Sequence, residues 1–535
     1  MRGLGTAFTS PPVRSASVTA VLPRPRRAGT GPAGQPPSDR EAALLGTPMP
    51  ADRMRALWVT LVITTVGGVV RLWNLGHPTD GGSPVFDEKH YVPQAWQMLR
   101  NGGYEDNYGY ELVVHPPLAK QLMAIGEWLL GYNGWGWRLT AAVAGTLIIL
   151  LVVRIARRLT RSTLLGAIAG ILVICDGVLH LQSRMGMLDI FQALFVVAAF
   201  GCVLLDRDQV RQRLATAVRE GWAHDTPFGP RLGFRWWRFG TGVLLGLATG
   251  IKWSGMYWVI AFGLLTIAFD VAARRTAGIT RPWTGVLRRD LAPALWSIGV
   301  ISVLMYLSTW WAWFASETAT DRHYAEISGD DSLAFLPGAL RNLVLYTLNV
   351  LDFHSSLATP DGDPHPWESK PWTWPMGLRP MLYHHESGSQ INGCGQDDCV
   401  QATMLIGTPA MWWLALPVLG WGLWRMIFRA DWRYAAVLVG YGAGLLPWFM
   451  NLDRQMYYFY ATPLAPFLIL GITLVLGHLL GRAKAGFERR GTGLLVVSLY
   501  TGLVVANFVW LWPILVGEPI TPERWNAELW LPSWR

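Results

Sequence analysis

The chain has 535 residues, of which 51% are hydrophobic and only 15% charged, a balance too apolar for a soluble protein of this size. Its formal net charge of +9 would suit a nucleic-acid partner, but the basic residues lie between apolar runs instead of forming one stripe, so they read as topology signals and no nucleic-acid partner is assigned. Four cysteines are too few for a disulfide scaffold.

Residues 1–55 are rich in Pro, Gly, Ser and Arg and have no signal-like apolar core, which predicts a disordered, basic cytoplasmic tail. Apolar runs then predict spans at 56–75, 137–156, 163–182, 188–205, 239–252, 254–272, 291–313, 403–424, 434–450, 456–480 and 492–514. Lipid offers no partner to an unpaired backbone group, so the fold class is an all-α polytopic membrane protein with about 11 transmembrane helices. With the N-terminus in the cytoplasm, the basic connections at 154–161, 207–238, 274–289, 425–433 and 482–490 all fall inside. The chain divides into an N-terminal transmembrane catalytic module at 56–313 with a first external loop at 76–136, a second large external loop at 314–402, C-terminal helices at 403–514 and an external tail at 515–535. Apolar periodicity at 117–131 and 334–352 predicts helices lying at the membrane surface.

The external loops hold the polar residues that topology leaves unexplained. Asp87 and Glu88 follow the first span, where a carboxylate can serve as general base to an acceptor hydroxyl; local sequence alone favours an ordinary helix-capping pair. In Val114-His115-Pro116-Pro117-Leu118-Ala119-Lys120, two prolines set a helix start and leave His115 and Lys120 near an end that attracts anions; a plain Pro-initiated surface helix fits equally. Asp176, His180 and Arg184 are spaced to share one helical face beside a membrane, with Asp189 opening the return, either as a polar pathway or as an internal salt bridge. Lys252, one of five lysines in a chain that otherwise uses Arg, interrupts an apolar run at an external turn. It is placed either to meet a lipid phosphate or to snorkel. The second loop carries His354, the Trp-rich stretch from His365 to Pro375, and His384-His385-Glu386, whose adjacency is not a zinc spacing. Cys394 and Cys399 flank a polar turn and would bridge in an oxidising compartment.

Taken together these motifs resemble the protein O-mannosyltransferases, membrane enzymes that move mannose from a polyprenyl (dolichyl-type) phosphate to Ser or Thr of secreted proteins. The similarity runs from about Arg71 to the C-terminus. It is carried by Asp87-Glu88, His115-Pro116-Pro117-Leu118 with Lys120, Arg138, the Ser183-Arg184 to Asp189 segment, Lys252-Trp253, and Arg454-Gln455-Met456-Tyr457-Tyr458-Phe459-Tyr460 with Pro463. Two departures stand out: Phe459 replaces the His of the usual Tyr-His-Tyr core, and 314–402 is too short for the MIR domain of eukaryotic members. With the Arg/Ala/Gly-rich usage, this fits a bacterial, actinobacterial-like member.

The resemblance implies a GT-C type glycosyltransferase fold and inversion at the sugar carbon, with Asp87 as base and Glu88 orienting the acceptor or tuning Asp87. It implies a donor phosphate resting between Lys252, Arg138 and Arg184, and His115, Lys120, Asp189, His354, His365 and Arg454 in the wider substrate site. The implied partners are polyprenyl-phosphate-mannose, Ser/Thr-containing secreted polypeptides and the secretion translocon. The location is the cell membrane, with an extracytoplasmic active site. No cofactor is assigned, and a divalent metal stays open. The alternatives are a GT-C enzyme acting on a glycolipid or cell-wall glycan, a transporter or flippase, and a noncatalytic scaffold.

Overall fold

The computed structural model describes residues 38–106, 114–358, 365–481 and 486–535; residues 1–37 of the expected tail, with Arg482 and Lys484, lie outside them. Eight described helices are long and apolar enough to cross a membrane: Arg53–Leu72, Gly134–Thr160, Asp189–Arg219, Gly255–Thr276, Leu291–Thr309, Pro409–Arg429, Tyr458–Leu480 and Phe487–Val516. The other three predicted spans coincide with shorter helices, Thr163–Ile174 continued by Gly177–Gln182, Trp236–Ile251 and Trp432–Leu445. Short polar side chains fix several helix starts by accepting free backbone N–H groups: Asn133 from Trp135 and Gly136, Ser162 from Leu165, and Asp431 from Arg433.

The predicted span 163–182 is not one helix. Asp176 caps a new helix by accepting from Leu179 N (2.8 Å) and also takes the Trp412 indole N–H (2.7 Å), so the chain breaks there. The expected stripe of Asp176, His180 and Arg184 is thereby dispersed. His180 is buried against Phe508 and Trp512, and Arg184 lies beyond the helix end.

Within the expected tail, 38–55 is ordered and not disordered. Helix Asp39–Leu45 buries Leu44 among Val210, Leu214, Ala273 and Ile279. Arg211 holds the carbonyls of Leu44 (2.9 Å) and Ala43 (2.6 Å), and Asp52 accepts from Arg157 and Thr163, each at 2.7 Å. On the same basic side, Arg235 joins Asp206 to Asp270, and Arg274 pairs with Asp290 at 2.7 Å. All five side chains are at most 5% exposed, so this network ties the long helices together where they leave the apolar layer.

On the opposite side, helices Leu118–Leu130 and Gly338–Ser356 occupy the two periodic stretches of the loops. A further helix, Glu88–Asn101, and a three-stranded antiparallel sheet were not predicted. Strand β1 (Met381–Gly388) pairs with β2 (Cys399–Leu405), the Cys394–Cys399 disulfide closes the turn between them, and β3 (Pro519–Ile520) adds to β2. The eighth predicted span therefore begins at Pro409, not at 403. The tail 515–535 folds back over this sheet: Ser533 donates to Leu378 O and accepts on its own carbonyl from Arg379, each at 2.5 Å, and Trp534 is fully buried.

Replacing Arg235 by Met should strand two buried carboxylates and destabilise the protein by about 3 kcal/mol or more. Thermal melting of the detergent-solubilised variant against wild type measures the loss.

Candidate active site

Glu88 and Arg138 form the floor of the site. Arg138 Nε and Nη2 donate to the two oxygens of Glu88 at 2.8 and 2.7 Å, and its remaining N–H groups reach the carbonyls of Leu75 (3.2 Å) and Pro78 (2.8 Å). Glu88 also accepts from Gly186 N (2.6 Å) and Val85 N (3.3 Å), and neither partner of the pair is exposed. The expectations that Glu88 orients the acceptor and that Arg138 meets the donor phosphate are corrected accordingly, because every polar atom of this pair is engaged inside the protein. Arg184 is occupied in the same way, donating to the carbonyls of Arg71 (2.9 Å), Trp73 and Asn74 (3.1 Å). Lys120 is buried in an ion pair with Glu105 and is not open to an anion.

Asp87 sits one residue from this anchor with a different fate. Phe86, at φ +52°, holds the left-handed conformation that side chains rarely adopt, a strain often kept at functional sites. Its ring stacks on Tyr383 of β1 (centroids 4.2 Å apart), whose hydroxyl accepts from Gln182 at 3.0 Å. The turn leaves Asp87 at the N-cap of helix Glu88–Asn101 with no capping hydrogen bond from its side chain. Burial pushes the half-buried Asp87 carboxyl up to about 6, opposed by the charges of His90 and Lys252 and reinforced by Asp189.

Lys252 ends helix Trp236–Ile251 and places Nζ 2.8 Å from both oxygens of Asp189, the first residue of the preceding long helix Asp189–Arg219. Its ammonium lies 5.4 and 5.3 Å from the ring centres of Phe459 and Tyr460. Phe459, the departure from the family core, thus supplies an aromatic face to a cation. His115 stacks on His354 (5.4 Å) and approaches Tyr91 (5.9 Å). Burial first, then Lys252 and His354, holds the His115 imidazole well below its ordinary value. Arg454 lies against His354 and Tyr460. His365 is exposed at the rim over Tyr457 (5.3 Å), with Nδ1 taken by Trp367 N.

Asp87, His115, Asp189, Lys252, His354 and Arg454 are thus gathered around one polar region, whereas Glu88, Lys120, Arg138 and Arg184 brace it and His365 stands outside. Sequence reasoning missed Phe86, Tyr91, Gln182 and Tyr383. Tyr91 carried a signal, being one helical turn from Asp87; Tyr383 carried none.

A carboxylate free to take a proton, fixed cations and aromatic faces at a membrane surface are the parts of a lipid-linked sugar transferase. The structure has the fold of the Saccharomyces cerevisiae protein O-mannosyltransferase Pmt1-Pmt2 complex bound to the sugar donor, with a TM-score of 0.68 at 15% identity over 93% of this chain and 94% of that one. The family model for dolichyl-phosphate-mannose-protein mannosyltransferase matches residues 131–270, and that for the C-terminal four-span region of protein-O-mannosyltransferase matches 339–534. Polyprenol-phosphate-mannose–protein mannosyltransferases from Mycobacterium tuberculosis and Corynebacterium glutamicum are 57% and 45% identical, covering 91% and 89% of this chain and 93% and 92% of theirs. The chain belongs to the protein O-mannosyltransferase family, which sets aside the transporter and scaffold alternatives.

Glu88→Ala and Arg138→Ala should each cost about 3 kcal/mol or more, since each leaves a buried charge alone, while the double variant should recover part of the loss. Denaturation of the three proteins side by side checks this.

Proposed function

We propose that this chain moves mannose from polyprenyl-phosphate-mannose to Ser or Thr hydroxyls of secreted polypeptides, with inversion, on the extracytoplasmic face of the cell membrane. The observation that carries the mechanism is the Asp87 carboxyl, free of any capping bond, pushed up to about 6, and facing the Lys252–Asp189 pair. The acceptor oxygen attacks the sugar's anomeric carbon and gives its proton to Asp87. The bond from that carbon to the phosphate oxygen breaks on the opposite face, and the lipid phosphate leaves with the electron pair. Phosphate is a good leaving group and needs no separate acid. The charge that grows on it is met by Arg454 and Lys252, fixed before the donor arrives. Lys252 acts there while keeping Asp189, so it contributes as one half of a pair.

A divalent metal is not assigned. Among the described residues no three His, Cys, Asp or Glu side chains converge on one point, and the Asp189 oxygens already hold an ammonium. The transfer assay repeated with a chelator decides metal dependence. Acceptors that cross the membrane unfolded would meet the site before folding, which makes the secretion translocon its expected neighbour. The orientation follows from the basic connections, all of which fall inside when the Asp87 loop is outside.

Asp87→Asn keeps size but removes the basic lone pair, so mannose transfer from labelled donor to a Ser/Thr peptide should fall about 100-fold or more. Because the carboxyl must be ionised to act, kcat/KM of the wild type should drop about tenfold for each pH unit below about 6. Asp87→Asn should lose that acid limb, and a retained limb would assign it to another group.

Ser83 is exposed in the turn before Asp87. A cysteine placed there should react with an impermeant thiol reagent on intact cells; labelling only after lysis would invert the topology.

A further inference from the structure

Arg454 differs from Lys252, Arg138 and Lys120 in what surrounds it. Lys252 has Asp189, Arg138 has Glu88 and Lys120 has Glu105. Arg454 Nε donates to the His354 carbonyl at 2.8 Å, and Nη2 lies 3.3 Å from His354 Nδ1 and 3.4 Å from the Tyr460 hydroxyl. The guanidinium carbon is 5.5 Å from the ring centres of both Trp448 and Tyr460, which stack on each other 4.4 Å apart. Among the described residues these hydrogen-bond partners are all neutral, and no carboxylate comes within ion-pair reach. A half-buried guanidinium held only by neutral groups keeps its full positive charge for an incoming anion.

His354 can hold it in only one protonation state. Its Nε2 is 2.9 Å from the Val114 carbonyl, which can only accept, so Nε2 carries the proton. The Arg454 N–H groups can only donate, so Nδ1 must be bare. Burial, followed by the charges of Arg454 and Lys252, lowers the proton affinity of the ring against the opposing Val114 bond, which agrees with a neutral imidazole. Val114 immediately precedes His115, whose ring stacks on His354. One imidazole thus joins the first external loop, the helix Gly338–Ser356 and the segment that opens at Arg454.

We propose that His354 is a positioning residue that never touches substrate: its neutral Nε2–H tautomer, locked by the Val114 carbonyl, aims the uncompensated Arg454 guanidinium at the donor phosphate. This rests on the donor reading given above and adds to it a division of labour, Arg454 touching the phosphate and His354 acting only through Arg454.

The test is binding of polyprenyl phosphate, with uncharged polyprenol as control, to the full chain in nanodiscs. Arg454→Met should weaken polyprenyl phosphate binding about tenfold or more, the scale of a lost charged hydrogen bond, and leave polyprenol unchanged. His354→Leu should weaken it by a similar factor in the wild type and by nothing further in Arg454→Met. His354→Gln, which still offers one donor and one acceptor, should bind near the wild-type level. In turnover the His354→Leu loss should appear in KM for the donor more than in kcat. An effect of His354→Leu that is equal in both backgrounds would mark a merely structural residue and overturn the proposal, as would unchanged phosphate binding by Arg454→Met. If Asp87→Asn transfers mannose normally while these binding results hold, the assignment of the base fails and this inference stands. A wild type that binds polyprenyl phosphate no better than polyprenol defeats the donor reading and the inference with it.

Discussion

The two oxygens of Glu88 receive four hydrogen bonds, two from the Arg138 guanidinium and one each from the backbone of Gly186 and Val85, all of them inside the protein. Through them the first external loop, the start of the helix Gly134–Thr160 and the turn before Asp189 are fixed to one another. The strained Phe86 and the uncapped Asp87 can persist only because this anchor over-determines the chain around them. Two adjacent carboxylates, alike in sequence, therefore divide the work. Glu88 is compensated and holds shape; Asp87 is left short of partners and keeps a raised proton affinity.

The remaining charges follow the same logic of compensation. Lys252 and Asp189 cancel, whereas Arg454 does not. In the proposed arrangement the donor phosphate supplies the missing negative charge, and an anion arriving near Asp87 raises the proton affinity of that carboxyl further. The donor would thus make Asp87 a stronger base at the time an acceptor needs one. An order follows in which the lipid docks before the polypeptide.

Much of the bundle was legible because lipid imposes a simple rule: apolar runs of sufficient length become helices, and arginines collect between them. The basic connections and the two surface helices follow from it directly. Asp87 was legible as a candidate through its position, but its separation from Glu88 was not, since nothing local tells which of two neighbouring carboxylates finds a distant arginine. Arg138 and Arg184 were misread for the same reason. A cation expected to meet a ligand is indistinguishable in sequence from one that meets carbonyls of the Arg71–Asn74 turn. The break at Asp176 was hidden by flanking apolar residues, and its cap depends on Trp412, 236 residues away. The order of 38–55 rests on burying Leu44 against two distant helices and on the ties of Arg211 and Asp52, which composition does not reveal.

The sheet behind Tyr383 is assembled from both ends of the second half of the chain. Its first two strands are made before the last four long or short helices, but β3 is made after them, and Trp534 beyond it is fully buried. During synthesis the membrane bundle can insert while β2 still presents an unpaired edge. A chain cut before Pro519 would keep its spans and yet lack a closed wall beside Asp87.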